Sequence, residues 1–294
     1  MTSSQKSIIS LLIVHTIAVL FAFGLSGNSS LFMGLPSPFV LIFGVFAIQW
    51  LMFIPAFINQ TEKFFDLTGS ATYISLAIFG LLIVEKVSTT QLIVASCTLV
   101  WALRLGTFLY SRINREGGDG RFDEIKPNFF RFLNVWSIQG LWVTITSAAV
   151  IVVLTSNHQT SLHPLLWVGL VIWIFGFIIE VVADHQKKSF RLKSENKGKF
   201  IVGGLWSRSR HPNYFGEIVL WLGIAVMAVP SLAGWQWLAL SSPIFVFLLL
   251  NFVSGIPLLE KRADEKWGNE KAYQQYKLNT PVLIPKLRSI DTTN

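Results

Sequence analysis

Eight long apolar segments with almost no charge constrain this chain more than any motif in it. They cover residues 8–25, 39–58, 71–84, 91–110, 136–154, 164–182, 214–229 and 235–253. Most approach the ~20 residues that a helix needs to cross a bilayer. Lipid offers no water to an open backbone, so only helices and closed barrels span it. The period-2 alternation of barrel strands does not occur in the sequence. The segments therefore predict an all-α, polytopic transmembrane helix bundle of about 7–8 spans. The first segment follows Lys6 as the core of a signal peptide would. No clear small-residue cleavage site comes after it, so it reads as a first transmembrane helix.

Composition agrees. The chain is 52% hydrophobic and 14% charged, against the ~25% charged of a soluble domain. Its net charge of +8 raises nucleic acid as a partner. The basic residues, however, sit between apolar spans, where topology signals and phosphate binders sit, so no nucleic acid is expected. The expected partners are membrane lipids and a hydrophobic small molecule drawn from the bilayer. The single cysteine, Cys97, lies in an apolar run. The histidines (His15, His158, His163, His185 and His211) are scattered, and no CxxC or Cys/His cluster occurs. No metal site is expected.

The loops set an orientation. Segments 26–38, 155–163 and 230–234 contain no Lys or Arg. Segment 111–135 carries Arg112, Arg115, Arg121, Lys126 and Arg131, and segment 183–213 carries eight basic residues from Lys187 to Arg210. The tail after Val253 carries seven more, from Lys261 to Arg288. All basic loops fall on one side of an eight-span chain. The positive-inside rule then predicts that both termini are cytoplasmic. No linker or repeat divides the chain. It reads as one membrane domain over 1–294, with N-terminal spans 1–90 on the substrate side, a core 91–256 and an amphipathic cytoplasmic tail 257–294.

Polar chemistry is densest in GGLWSRSRHPNYFGE, residues 203–217. Its glycines permit close backbone approach to a ligand. Arg208, Arg210 and His211 are donors suited to phosphate or carboxylate. Pro212 suits a first helical turn, which would place Asn213 and Tyr214 at a helix N-terminus that favours anions. Asn213, Glu217 and Trp221 then share a face. The alternative is an interfacial helix start with snorkelling arginines. Upstream, Glu180, Asp184, Lys188 and Arg191 form one stripe, either a ligand-binding mouth or an ion-pair ladder. Arg104 lies inside the fourth span, where a charge is costly unless it snorkels or works. Gln139 opens the fifth, as a ligand group or a helix–helix hydrogen bond. Residues 59–70 read as a polar inner loop. It carries Glu62 and Asp66, with Tyr73 opening the next span. These three are candidates for a proton donor or a carbonyl clamp, or else belong to a solvated connection. In the tail, Arg262 is a candidate phosphate cap or part of a surface-lying basic helix.

GLWSRSRHPNYFGE, the upstream Ala183-Asp184 with its basic stretch, Gln139-Gly140 and the tail pattern LLEKRAD, AYQQY, LIP together resemble the membrane steroid 5-alpha-reductase superfamily. The resemblance is nearest to its bacterial-type branch, DUF1295, and covers roughly residues 101–285. It implies an all-helical membrane reductase that uses NADPH and transfers hydride to an activated carbon–carbon double bond. It implies dinucleotide contacts from Asp184, Arg191, Asn213, Tyr214 and Glu217, with Arg208, Arg210 and His211 nearby. The wider candidate cofactor set adds Gln139, Glu180, Lys188, Trp206, Glu260 and Arg262. The candidate catalytic set is Glu62, Asp66, Tyr73 and Arg104. Steroid-reducing members hold the ketone with a glutamate and a tyrosine. Near that tyrosine this chain has Trp101-Ala-Leu-Arg104, and the glutamate has no single counterpart, Glu62 and Asp66 both being candidates. The resemblance therefore speaks more to cofactor than to substrate. A second resemblance is to isoprenylcysteine-type membrane methyltransferases, in which Arg210, His211 and Glu260 would hold S-adenosylmethionine. Glu217 after Gly216 and the Gly-Leu-Trp lead-in favour the reductase. A third alternative is a non-enzymatic lipid-binding or transport protein. The gathering of polar residues at one membrane face argues against transport.

Overall fold

The computed structural model describes residues 3–116, 120–157 and 162–287. His158 and Arg288 lie outside these residues, as do the side chains of Arg112, Arg115 and Arg121. Among the described residues the chain is all-helical apart from one short hairpin. Among the described residues seven helical segments are long and apolar enough to cross a membrane, and a bent pair makes an eighth if counted as one span. The protein is an integral membrane protein.

The chain forms two compact units. The first comprises Met1–Leu166 with Ala225–Ser242. It contains α1 (Ser3–Leu25), α2 (Ser37–Ile58), α3 (Phe65–Leu82), α4 (Thr89–Glu116), α5 (Phe129–Thr146) and α6 (Ala148–Thr155). Helix α5 packs on α1 and α2, and α3 packs on α2 and α4. Every residue of α6 is buried, and its C-terminal end is closed by hydrogen bonds from other elements. Gln91 Nε2 donates to the Leu154 carbonyl at 3.0 Å, and Ser30 N donates to the Thr155 carbonyl at 2.7 Å. Gln236 does the same for α1 by donating to the Leu25 carbonyl at 3.0 Å. These buried polar residues satisfy helix-end carbonyls that would otherwise be costly inside a membrane. The hairpin pairs Leu31–Phe32 with Leu35–Pro36. Its turn residues Met33 (φ 51) and Gly34 (φ 80) are both left-handed, as a tight hairpin requires.

The expected span 136–154 is a broken helix. Helices α5 and α6 meet at 59°, at Ser147, whose hydroxyl donates to the Val143 carbonyl one turn back. Such back-bonding bends helices. The expected inner loop 59–70 is shorter than its polarity suggested. Helix α3 begins at Phe65, so Asp66 lies in its first turn, where an acidic residue is favoured. Tyr73 stands about two turns inside the helix rather than at its start.

The second unit comprises Trp167–Ile224 with Pro243–Asn294. It holds most of α7 (Pro164–Leu192), α8 (Pro212–Ala228) and α9 (Ser241–Leu248), together with α10 (Ile256–Trp267) and α11 (Lys271–Asn279). Glycines set the approach of α7 to α8. A Cβ at Gly176 would meet Leu220 N at 2.5 Å, one at Gly216 would meet Glu180 N at 2.6 Å, and one at Gly223 would meet Trp173 N at 2.6 Å. Backbone therefore rests on backbone over three turns, the close packing that small residues allow in membranes. After α9 the chain passes through a π-helical turn, Leu249–Val253, before α10.

Candidate functional site

The second unit gathers most of the polar motif residues. Helix α7 ends well past the apolar run, so its last turns carry Glu180, Asp184, Lys187, Lys188 and Arg191 on helical backbone. Glu180 is buried at 4% exposure because Gly216 lets α8 lie against its backbone. Lys188 and Arg191 are exposed. The buried line continues from Glu180 through Ala183 to Lys187, whose Nζ stands 4.5 Å from the centre of the Trp206 ring. Helical period explains the drift: 3.6 residues per turn carries position 187, not 188, onto the inner side.

Trp206 lies in a short 3-10 turn, Gly204–Ser207. Gly204 enters it with φ 63. Gln186 Oε1 accepts from Leu205 N at 2.9 Å, and Trp206 Nε1 donates to the Ala183 carbonyl at 3.0 Å. The motif is thus pinned to α7 from both sides.

The tail pins it from a third direction. Arg210 N donates to the Pro281 carbonyl at 2.9 Å and His211 N to the Val282 carbonyl at 3.1 Å. Ser209 Oγ donates to the Leu283 carbonyl at 2.7 Å, and Lys286 N donates to the Arg208 carbonyl at 2.9 Å. Tyr276 Oη donates to the Trp206 carbonyl at 2.7 Å. Phe200 packs its ring against Trp267, Tyr273 and Tyr276 beneath this contact.

Glu260 of α10 sits among three cations or potential cations. Arg210 Nη1 lies 2.9 Å from Oε2, and His211 Nε2 lies 2.8 Å from Oε1. Lys277 Nζ is 3.8 Å from Glu260 and 2.6 Å from Asp264, while Tyr273 Oη donates to Asp264 at 3.1 Å. Burial holds the His211 imidazole below its ordinary pKa, with the Glu260 hydrogen bond opposing. Burial and the bond to Asp264 raise the Tyr273 phenol, so it stays protonated. A neutral His211 beside a carboxylate carries its proton on Nε2, which leaves Nδ1 as an acceptor. Among the described residues that buried Nδ1 finds no hydrogen-bond partner, and the same is true of Arg210 Nε. One orphan donor and one orphan acceptor therefore stand on adjacent residues, beside the start of α8. The His211 ring stacks on Tyr214 at 5.7 Å, and Tyr214 in turn packs against Gly255.

The other expected residues are placed as follows. Asn213, Tyr214 and Glu217 lie in the first two turns of α8, all partly buried. Arg208 and Arg262 are exposed. Glu62, Asp66, Tyr73, Arg104 and Gln139 belong to the first unit. Glu62 is bonded to Lys126 Nζ at 2.7 Å, and this bond raises the lysine's pKa. Arg104 lies over the Phe108 ring at 5.7 Å. Tyr73 is buried against Trp101, edge to face at 5.1 Å. Sequence reasoning missed Lys187, Lys277, Tyr273 and Gln186 as parts of the site. The helical spacings 180, 183, 187 and 273, 277 carried the signal.

A family model described as a protein of unknown function, DUF1295, matches residues 52–280. Among curated relatives, 3-oxo-5-alpha-steroid 4-dehydrogenase 1 of Rattus norvegicus is 30% identical over 123 residues, 42% of each chain. Steroid 5-alpha-reductase DET2 of Arabidopsis thaliana is 32% identical over 120 residues, 40% of each chain. An uncharacterized protein of Schizosaccharomyces pombe is 23% identical over 248 residues, 74% of this chain and 70% of that one. The chain thus spans about two fifths of the length of the named reductases it matches. No solved structure matches. The family match covers most of the chain, motif and tail included, and on that ground the protein is a member of the DUF1295 family, with steroid 5-alpha-reductases among its relatives.

Proposed function

We propose that this protein is a membrane-embedded, NADPH-dependent reductase of an activated carbon–carbon double bond in an apolar, enone-type substrate taken from the bilayer. The observation that carries the reading is the pair of orphan groups on Arg210 and His211, held in place by Glu260 and the docked tail. The pair fits a nucleotide. Arg210 Nε offers a donor to a phosphate oxygen, and His211 Nδ1 accepts from a ribose hydroxyl or an amide. Asn213 and Tyr214 open α8, whose free N–H groups favour an anion. Asp184, Arg191 and Glu217 complete the dinucleotide contacts, and Lys187 adds positive charge beside Trp206. When bound, the cofactor supplies the hydride. The protein supplies orientation and exclusion of water. The names of the two reductase relatives support the same reading.

In the first unit, Tyr73 is the group we assign to the substrate carbonyl. It is a buried phenol on a helix wall. Glu62 is committed to Lys126 and serves to hold the loop that follows α4. The lysine- and arginine-rich loops support a cytoplasmic cofactor site and cytoplasmic termini.

The test is ligand protection of purified protein in detergent. NADPH raises the unfolding temperature and S-adenosylmethionine does not. The opposite result replaces the reductase reading with the methyltransferase one. Asn213→Ala and Glu217→Ala each abolish protection by NADPH while membrane insertion is retained. Unchanged NADPH affinity in both variants refutes the site. Turnover of a panel of steroid and non-steroid enones is followed as loss of absorbance at about 340 nm, since the reduced nicotinamide is the hydride carrier.

A further inference from the structure

Two carboxamide oxygens inside the first unit have no donor among the described residues. They are Gln49 Oε1 on α2 and Gln139 Oε1 on α5. Gln49 is 0% exposed. Its amide orientation follows from its partners. The Thr72 hydroxyl donates to the Thr68 carbonyl at 2.7 Å, so toward Gln49 it acts as acceptor, taking Nε2–H at 2.9 Å. Turning the amide over would set its oxygen, an acceptor, against a hydroxyl whose only hydrogen is already given to Thr68. The oxygen therefore points away from Thr72. Gln139 lies against the same helix one turn earlier: a Cβ on Gly69 would stand 2.9 Å from its Nε2. The neighbouring Gly140 leaves room for Phe46 and for the Gln49 stem at 3.2 Å and 3.5 Å. Positions 69, 72 and 73 share one face of α3. Both acceptors thus flank the turn that carries Tyr73.

A buried acceptor without a donor costs about 1–3 kcal/mol, and the bilayer interior offers no solvent to relieve it. Two such oxygens, on side chains packed against one helical turn, offer a ligand two acceptors. We propose that Gln49 and Gln139 receive hydrogen bonds from a hydroxyl group on the apolar substrate, so that the protein selects a hydroxylated, lipid-soluble molecule over its hydroxyl-free analogue. This names the substrate class of the reductase reading and rests on it. It also assigns Gln139 to the substrate rather than the cofactor.

Binding rather than turnover tests it. Purified protein in detergent is titrated with two probe pairs, each an alcohol and its methyl ether: a 17-hydroxy-4-en-3-one steroid and geranylgeraniol. The ether keeps the oxygen and removes the donor. The wild-type protein binds at least one alcohol about tenfold more tightly than its ether, as one retained hydrogen bond to a buried acceptor predicts. Gln49→Met and Gln139→Met each reduce alcohol binding to the level of the ether and leave ether binding unchanged. Protection of Gln49→Met by NADPH shows that this variant is folded. Absence of any alcohol preference in the wild-type protein, or its persistence in both variants, overturns the inference. Loss of NADPH protection in the wild-type protein, with alcohol preference intact, sinks the cofactor reading alone.

Discussion

At the scale of single residues, the site depends on a carboxylate that organises its neighbours. Glu260 pairs with an Arg210 side chain only 12% exposed, so replacing it by glutamine leaves a largely buried guanidinium without its counter-ion. Breaking such a pair costs about 3–5 kcal/mol. Glu260→Gln should lower the unfolding temperature and weaken NADPH protection by more than tenfold, whereas Glu265→Gln, on the exposed side of the same helix, should do neither. His211 gives a pH signature. Its folded pKa lies below the ordinary 6.5 because it is buried. As pH falls past that value the unfolded chain takes up the proton first. The contribution of His211 to stability is therefore full above about pH 6.5 and lost as pH drops through the depressed folded value. Thermal unfolding at stepped pH should show that decline, and His211→Gln should flatten it. The arginines, histidine and asparagine of the motif were legible because their chemistry is unusual beside a membrane span. Lys187 was not, because a lysine in a basic loop looks like every other, and only the helix phase tells it from Lys188.

At the scale of elements, the contact of α7 with α8 decides whether Glu180 and Glu217 share a unit at all. Gly223→Ala would place a methyl group 2.6 Å from the Trp173 backbone nitrogen. Neither helix can yield without moving as a whole, and the expected loss is about 1–3 kcal/mol, read as a lower unfolding temperature in detergent. Gly44→Ala, where a Cβ meets nothing within 4 Å, is the control and should be neutral. Spans were legible from hydropathy, because lipid forces length and composition together. Their ends and breaks were not. Asp66 and Thr68 looked like loop residues, yet α3 starts at Phe65, since an acid in a first turn and hydroxyls bonded to the preceding turn suit a helix start. The bend at Ser147 lay hidden for a related reason: a serine within an apolar run changes hydropathy little but supplies the competing hydrogen bond.

At the scale of the whole molecule, the orientation proposed from charge is open to direct labelling. Cys97 is the only cysteine and is buried, so single new cysteines report cleanly. Lys271→Cys should react with an impermeant maleimide from the cytoplasmic side, and Met33→Cys, at the exposed hairpin tip, from the opposite side. Labelling of both from one side refutes the arrangement. The docked tail carries a further consequence, for biogenesis. Ser209 meets Leu283 across 74 residues of sequence, and helices α8 to α11 lie between. A nascent chain that has already delivered its RHPN turn to the membrane surface still lacks the tail segment that pairs with that turn. On the proposed function, cofactor capture would therefore wait for translation to run on through the tail. Products truncated ahead of it would accumulate as inserted but inert bundles, their arginine-bearing turn open to quality-control proteases.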